Sequence, residues 1–182
     1  ENQSKLKEIY TKSSINQLLL GGVIFSLIAL NLPFIYQIIP NGALYEAGYW
    51  VAIMIGVSKR FDMLWGVNSE ILLLSKYYKN NIWIMVAVGV CTVGLNLLLI
   101  PIYGINGTAL ATLLTVILHN LLRGYMVYRK LSVLPFSKQH FRVVACFILP
   151  LGALLLLPSF NLGIIVSVIV LSGLYLLVFT VL

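Results

Sequence analysis

Residues 45–75 read YEAGYWVAIMIGVSKRFDMLWGVNSEILLLS, and they place charge inside what otherwise reads as membrane. Taken as one helix at about 100° per residue, Gly48, Ala52, Gly56, Lys59, Asp62, Gly66, Ser69 and Glu70 fall on one side. Trp50, Ile53, Met54, Val57, Phe61, Leu64 and Leu72 fall on the other. One face thus suits lipid or packed neighbours and the other something polar. A charged side chain at the bilayer centre costs about 2.5–3.5 kcal/mol on insertion scales, so Lys59, Arg60 and Asp62 are expected to face a cavity or partners.

The composition around this stretch agrees with a membrane setting. Soluble domains average roughly 45–50% apolar and 25% charged residues. This chain of 182 residues has 60% and 9%, with a mean hydropathy of +1.01. It opens on Glu1 and closes on Leu182 within an uncharged apolar run. It is therefore expected to be a piece of a longer polypeptide, its C-terminal part.

About six spans can be drawn, over residues 15–39, 47–75, 82–100, 107–128, 143–157 and 162–182. Most have the roughly 17–25 apolar-dominated residues that cross about 30 Å of hydrocarbon. The expected fold is all-α and polytopic, with short connections between antiparallel neighbours. Residues 1–14 read as a cytoplasmic arm and 15–128 as four cavity-lining helices. A basic cytoplasmic connection follows over 129–142, and 143–182 reads as two peripheral helices with no charge.

The net charge of +7 matters through its distribution. Lys5, Lys7, Lys12, Lys76, Lys79, Arg129, Lys130, Lys138 and Arg142 all flank the spans on one side, and the alternate connections PNGALYE, PIYGIN and PSFN carry no Lys or Arg. That bias is the positive-inside pattern, and it places both ends of the chain in the cytoplasm. It accounts for the basic balance through the membrane, with no call on nucleic acid.

Two further stretches carry polar stripes or breaks. The first span holds Gly22, Ser26, Ala29, Pro33 and Gln37 at helical spacing; small residues there allow close helix packing, and Pro33 is expected to kink it. In CTVGLNLLLIPIYGINGTALAT, residues 91–112, Pro101 with Gly104 and Gly107 allows a tight turn into the next helix. That helix places Thr108, Thr112, Thr115, His119 and Arg123 on one face. His119 reads either as a satisfied core histidine or as a proton carrier, and Arg123 either as a snorkelling side chain or as a site residue.

Enzyme signatures are poor. His119 and His140 have no metal-type companions, Cys91 and Cys146 lie in apolar runs, and no Gly-rich phosphate loop is present. No catalytic residue, metal or cofactor is assigned. Asp62 and Glu70 stand two turns apart, with Lys59 and Arg60 beside Asp62. Mutual ion pairing would neutralise the set; otherwise two cations against one close anion leave a positive patch that suits an anionic ligand such as a diphosphate.

The run LNLLLIPIYGINGTALATLLTVILHNLLRGYMVYRKL, residues 95–131, preceded by NSEILLLSKYYKNN, resembles the C-terminal part of bacterial polysaccharide flippases. These are O-antigen and capsule-type translocases of the multidrug/oligosaccharidyl-lipid/polysaccharide exporter superfamily. The matching positions are Asn96, Pro101, Tyr103, Gly104, Gly107, Ala109, Ala111 and Thr112, with Thr108 where a second Ala is common. The resemblance implies a two-lobed protein of about twelve to fourteen helices in the bacterial inner membrane, of which this chain supplies most of the C-terminal lobe. It implies alternating-access movement of an undecaprenyl-diphosphate-linked sugar repeat unit. Lys59, Arg60 and Arg123 would hold the diphosphate, and Asp62, Glu70, His119, Asn96 and Thr112 would line the cavity or couple it to an ion. Two other readings stay open: a cation-coupled drug exporter using Asp62, Glu70 and His119, and a membrane polysaccharide polymerase, whose usual large charged outer loops this chain lacks.

Overall fold

The computed structural model describes residues 2–42, 45, 47–145, 169, 172 and 173. Among them five helices have defined bounds: α1 Asn2–Ile38, α2 Tyr49–Leu64, α3 Asn68–Leu73, α4 Tyr78–Tyr103 and α5 Ile105–Leu131. Residues 138–145 are helical too, and no strand occurs among the described residues.

Three of these helices, α1, α4 and α5, are long and apolar enough to cross a membrane. The 26 residues of α4 and 27 of α5 extend about 39–41 Å at 1.5 Å per residue, and a hydrocarbon core is about 30 Å thick. The chain is therefore an all-helical membrane protein. The fifth and sixth expected spans fall almost wholly outside the described residues.

The first span begins earlier than the apolar run suggests. The arm is not separate from it: α1 starts at Asn2, because SKLKEIYTK is made of helix-compatible residues and Glu8 and Lys12, one turn apart, form an ion pair at 2.7 Å. Tyr10 is fully buried and docks these turns against Leu72, Val127 and Val133. Pro33 lies inside α1, which continues to Ile38.

The expected continuous helix over 47–75 does not form. α2 stops at Leu64 after 16 residues, about 24 Å, and α3 restarts at Asn68. Gly66 adopts φ +54 between them, a left-handed conformation that glycine takes at no steric cost. Its backbone lies against α1, where a Cβ would meet Ser14 atoms at 3.0 Å. Ser14 Oγ–H donates to the Leu64 carbonyl at 2.6 Å, satisfying an acceptor that the helix end leaves open. The break is thus stabilised by a residue 50 positions away.

The link between α4 and α5 follows the sequence expectation. Pro101 sits in the last turn of α4, and Gly104 at φ +55 reverses the chain. The facing pairs Leu99 with Gly107, Asn81 with Arg123, and Asn80 with Met126 define an antiparallel hairpin. Gly107, Ala109, Ala111 and Thr115 are buried along α5, in keeping with small residues that let helices approach closely.

α5 packs against α2, α3 and α4, and α2 packs in turn against α1. Asp62 beside Asn120 and Trp65 beside Gly124 make α2 and α5 parallel. Phe25 beside Gly56 and Ser14 beside Leu64 make α1 and α2 antiparallel. The start of α1, the α2–α3 break, the start of α4 and the end of α5 consequently share one end of the bundle. That end carries the basic flanks. α4 buries only Asn81 and Val88, and exposes Trp83, Val90, Leu97 and Leu98, an apolar surface suited to lipid or to another apolar helix.

Candidate functional site

Three buried polar residues, Thr115, Asn120 and Arg123, lie on α5, the last two toward the basic end. Asn120 is 1% exposed. Its Nδ2 donates to Asp62 Oδ1 on α2 at 2.8 Å and to the Val116 carbonyl at 3.1 Å. Its Oδ1 accepts from Asn68 Nδ2 on α3 at 3.0 Å. One amide therefore ties three helices together and engages a carboxylate with a charge-assisted hydrogen bond.

One turn on, Arg123 is buried and its Nε donates to Asn81 Oδ1 on α4 at 3.0 Å. Among the described residues that is its hydrogen bond, and its two terminal nitrogens are not bonded. The Asp62 and Glu70 carboxylates act electrostatically on this guanidinium, and Arg123 and Asp62 act on His119. Asn81 Nδ2, His119 Nε2 and Trp65 Nε1 are buried without a partner among the described residues. Unsatisfied polar atoms of this kind are costly in a dry interior and point to a partner supplied from elsewhere.

Four of the sequence-predicted residues, Asp62, Glu70, His119 and Arg123, therefore lie within electrostatic reach of one another, Asp62 and Glu70 as exposed residues. The others do not join them. Lys59 is exposed, and the Arg60 guanidinium stacks over the Phe25 ring of α1 at 5.2 Å, a cation–π contact. Asn96 Nδ2 donates to the Thr92 carbonyl and Thr112 Oγ1 to the Thr108 carbonyl, each one turn back on its own helix. Asp62 pairs with an amide where sequence adjacency suggested Lys59. Asn68, Asn81 and Asn120 escaped the sequence reading; the signal was clearest at Asn120, a carboxamide in a largely apolar run beside His119 and three residues before Arg123.

A second polar chain closes the basic end. The Ser137 backbone N–H donates to His140 Nδ1 at 3.1 Å, so Nδ1 is an acceptor and the neutral ring carries its proton on Nε2. Nε2–H then donates to Ser14 Oγ at 3.0 Å, and Ser14 passes its own proton to Leu64. In a serine nucleophile pair the ring would instead accept from the hydroxyl. The role of this chain is to join α1, α2 and the 132–137 connection. Burial holds His140 below the usual imidazole range.

Comparison with protein-family models, curated proteins and solved structures gives no match to this chain.

Proposed function

We propose that this chain is part of a transporter that carries undecaprenyl-diphosphate-linked oligosaccharide repeat units across the bacterial inner membrane for surface polysaccharide synthesis. The observation that carries the reading is Arg123. A guanidinium buried between helices, held by one edge to Asn81 and with its terminal nitrogens unbonded among the described residues, is prepared for a bidentate anion such as a diphosphate oxygen pair. Asn81 Nδ2 adds a free donor beside it. Arg123 is thus the cation of the cluster, with Asp62 and Glu70 acting on it. The lipid tail would remain in the bilayer while the head crosses through a cavity between this lobe and a second one.

In this reading the chain supplies six helices of a two-lobed exporter, its basic end cytoplasmic, and alternating access exposes Arg123 to each side in turn. No bond is made or broken. The test is Arg123→Ala and Arg123→Lys in the full-length protein, scored for surface polysaccharide at matched membrane abundance. Loss with Ala and partial retention with Lys are expected, since Lys keeps the charge and loses the planar fork. Undiminished polysaccharide with Ala refutes the assignment.

A second reading, a cation-coupled exporter, draws on the two carboxylates that act on Arg123. It expects Asp62→Asn to abolish a pH- or sodium-dependent efflux that Arg123→Lys leaves in place.

A further inference from the structure

The basic end carries a feature that transport does not use. Lys76 precedes α4 and Lys130 lies in the last turn of α5, and their ammonium groups sit 5.3 and 5.4 Å from the centroid of the same ring, Tyr77. Those distances cap the separation of the two nitrogens at about 11 Å. Like charges spread apart in solvent unless something gathers them. Here the gathering group is the aromatic ring of a half-buried tyrosine, and Tyr77 is itself fixed by packing against the Tyr10, Leu72, Val127 and Val133 core. Lys79 and Arg129 are exposed close by in sequence. The carboxylate of this end that the structure pairs, Glu8, is already bonded to Lys12.

Position selects the partner. Tyr78 opens one membrane-crossing helix and Leu131 closes the next, and the antiparallel hairpin brings these termini to one level. Lys76 and Lys130 therefore flank the spans at a membrane–water interface. The exposed apolar residues Ile82, Trp83, Met85 and Val86 begin within about a turn of Tyr78 on α4. A phosphate between the two ammonium groups would have acyl chains beside that surface.

We infer that Lys76, Tyr77 and Lys130 form a headgroup site for an anionic phospholipid, with the phosphodiester bridging the two lysines and the tails lying along α4. Each basic side chain near an anionic surface contributes roughly fivefold in affinity, and the contribution is screened by salt.

The test uses the full chain in nanodiscs of phosphatidylcholine, alone or mixed with phosphatidylglycerol, with bound lipid counted by native mass spectrometry and stability by thermal unfolding. Wild type should retain phosphatidylglycerol preferentially and unfold at higher temperature in its presence. Lys76→Gln with Lys130→Gln should lose that preference by about fivefold per lysine. Tyr77→Leu, which keeps an apolar body and removes the π face, should fall between. Lys5→Gln with Lys7→Gln removes the same charge from the start of α1 and should leave the preference in place. An equal loss from that control pair would show a diffuse charge effect and overturn the site, as would a preference unchanged in the Lys76/Lys130 variant. Equal stabilisation by inorganic phosphate in phosphatidylcholine discs would overturn the assignment to a lipid.

Discussion

Gly107→Ala and Gly89→Ala are the same chemical change in neighbouring helices, and the structure gives them opposite signs. At Gly107, in the first turn of α5, the added methyl would fall well inside van der Waals contact distance of the Leu99 carbonyl oxygen and lie 3.0 Å from the Ile100 nitrogen. Both obstacles are backbone. They cannot rotate away, and α4 cannot slide because one residue, Gly104, joins it to α5. Overpacking against movable side chains costs about 1–3 kcal/mol, so a backbone obstacle belongs at the top of that range. Alanine returns at most about 1 kcal/mol in helix propensity. The net is about 2 kcal/mol destabilising, close to a 30-fold fall in the folded fraction ratio. At Gly89 nothing lies within 4 Å, so the propensity gain of up to about 1 kcal/mol stands alone. Reversible unfolding in mixed micelles, run side by side, measures both. If Gly107→Ala matches wild type to within about 0.5 kcal/mol, a typical surface-substitution effect, the tight closure of the hairpin at Leu99 is wrong.

Two further tests separate the site from its surroundings. Asn120→Ala strands Asn68 and leaves Asp62 without its amide, and should cost about 1–2 kcal/mol; Asn96→Ala removes a bond within one helix and should cost no more than about 0.5 kcal/mol. Equal losses in micelle unfolding would mean that the cross-helix network has no stability of its own. His140 is held below the imidazole range by burial, so the unfolded chain binds its proton first as pH falls. Its contribution to stability is full above about pH 6.5 and declines below that, toward the depressed folded value. His140→Gln should flatten the stability profile below about pH 6.5, and an unchanged slope would show that His140 does not titrate there.

What could be read from the chain was local. Pro101 and Gly104 each act on their own turn, and they predicted the α4–α5 hairpin correctly. Apolar length identified α1, α4 and α5 as helices able to span. The break at Gly66 was hidden because its cause lies on another helix: Ser14 accepts a close backbone neighbour and supplies the proton that Leu64 needs. A wheel drawn over residues 45–75 has no means of showing a partner from residue 14. The amide network was hidden for a similar reason. Asn68, Asn81 and Asn120 are uncharged, so only the meeting of their helices separates them from Asn96, whose amide bonds its own backbone.

The break and the network are one feature. In an unbroken helix Asn68 would stand about 240° around the axis from Asp62, on a different face, and the two could not both reach Asn120. With the chain turned at Gly66 they do, at 3.0 and 2.8 Å from the two ends of one carboxamide. The same turn carries Glu70 to where its charge acts on Arg123, and seats Trp65 against Gly124, where a side chain on α5 would enter the indole ring. The left-handed glycine thus costs α2 the length to cross a bilayer as a helix. In return it lets the α2–α3 segment present a carboxylate, an amide and a second carboxylate to α5 from two directions, an arrangement that a straight amphipathic helix cannot make.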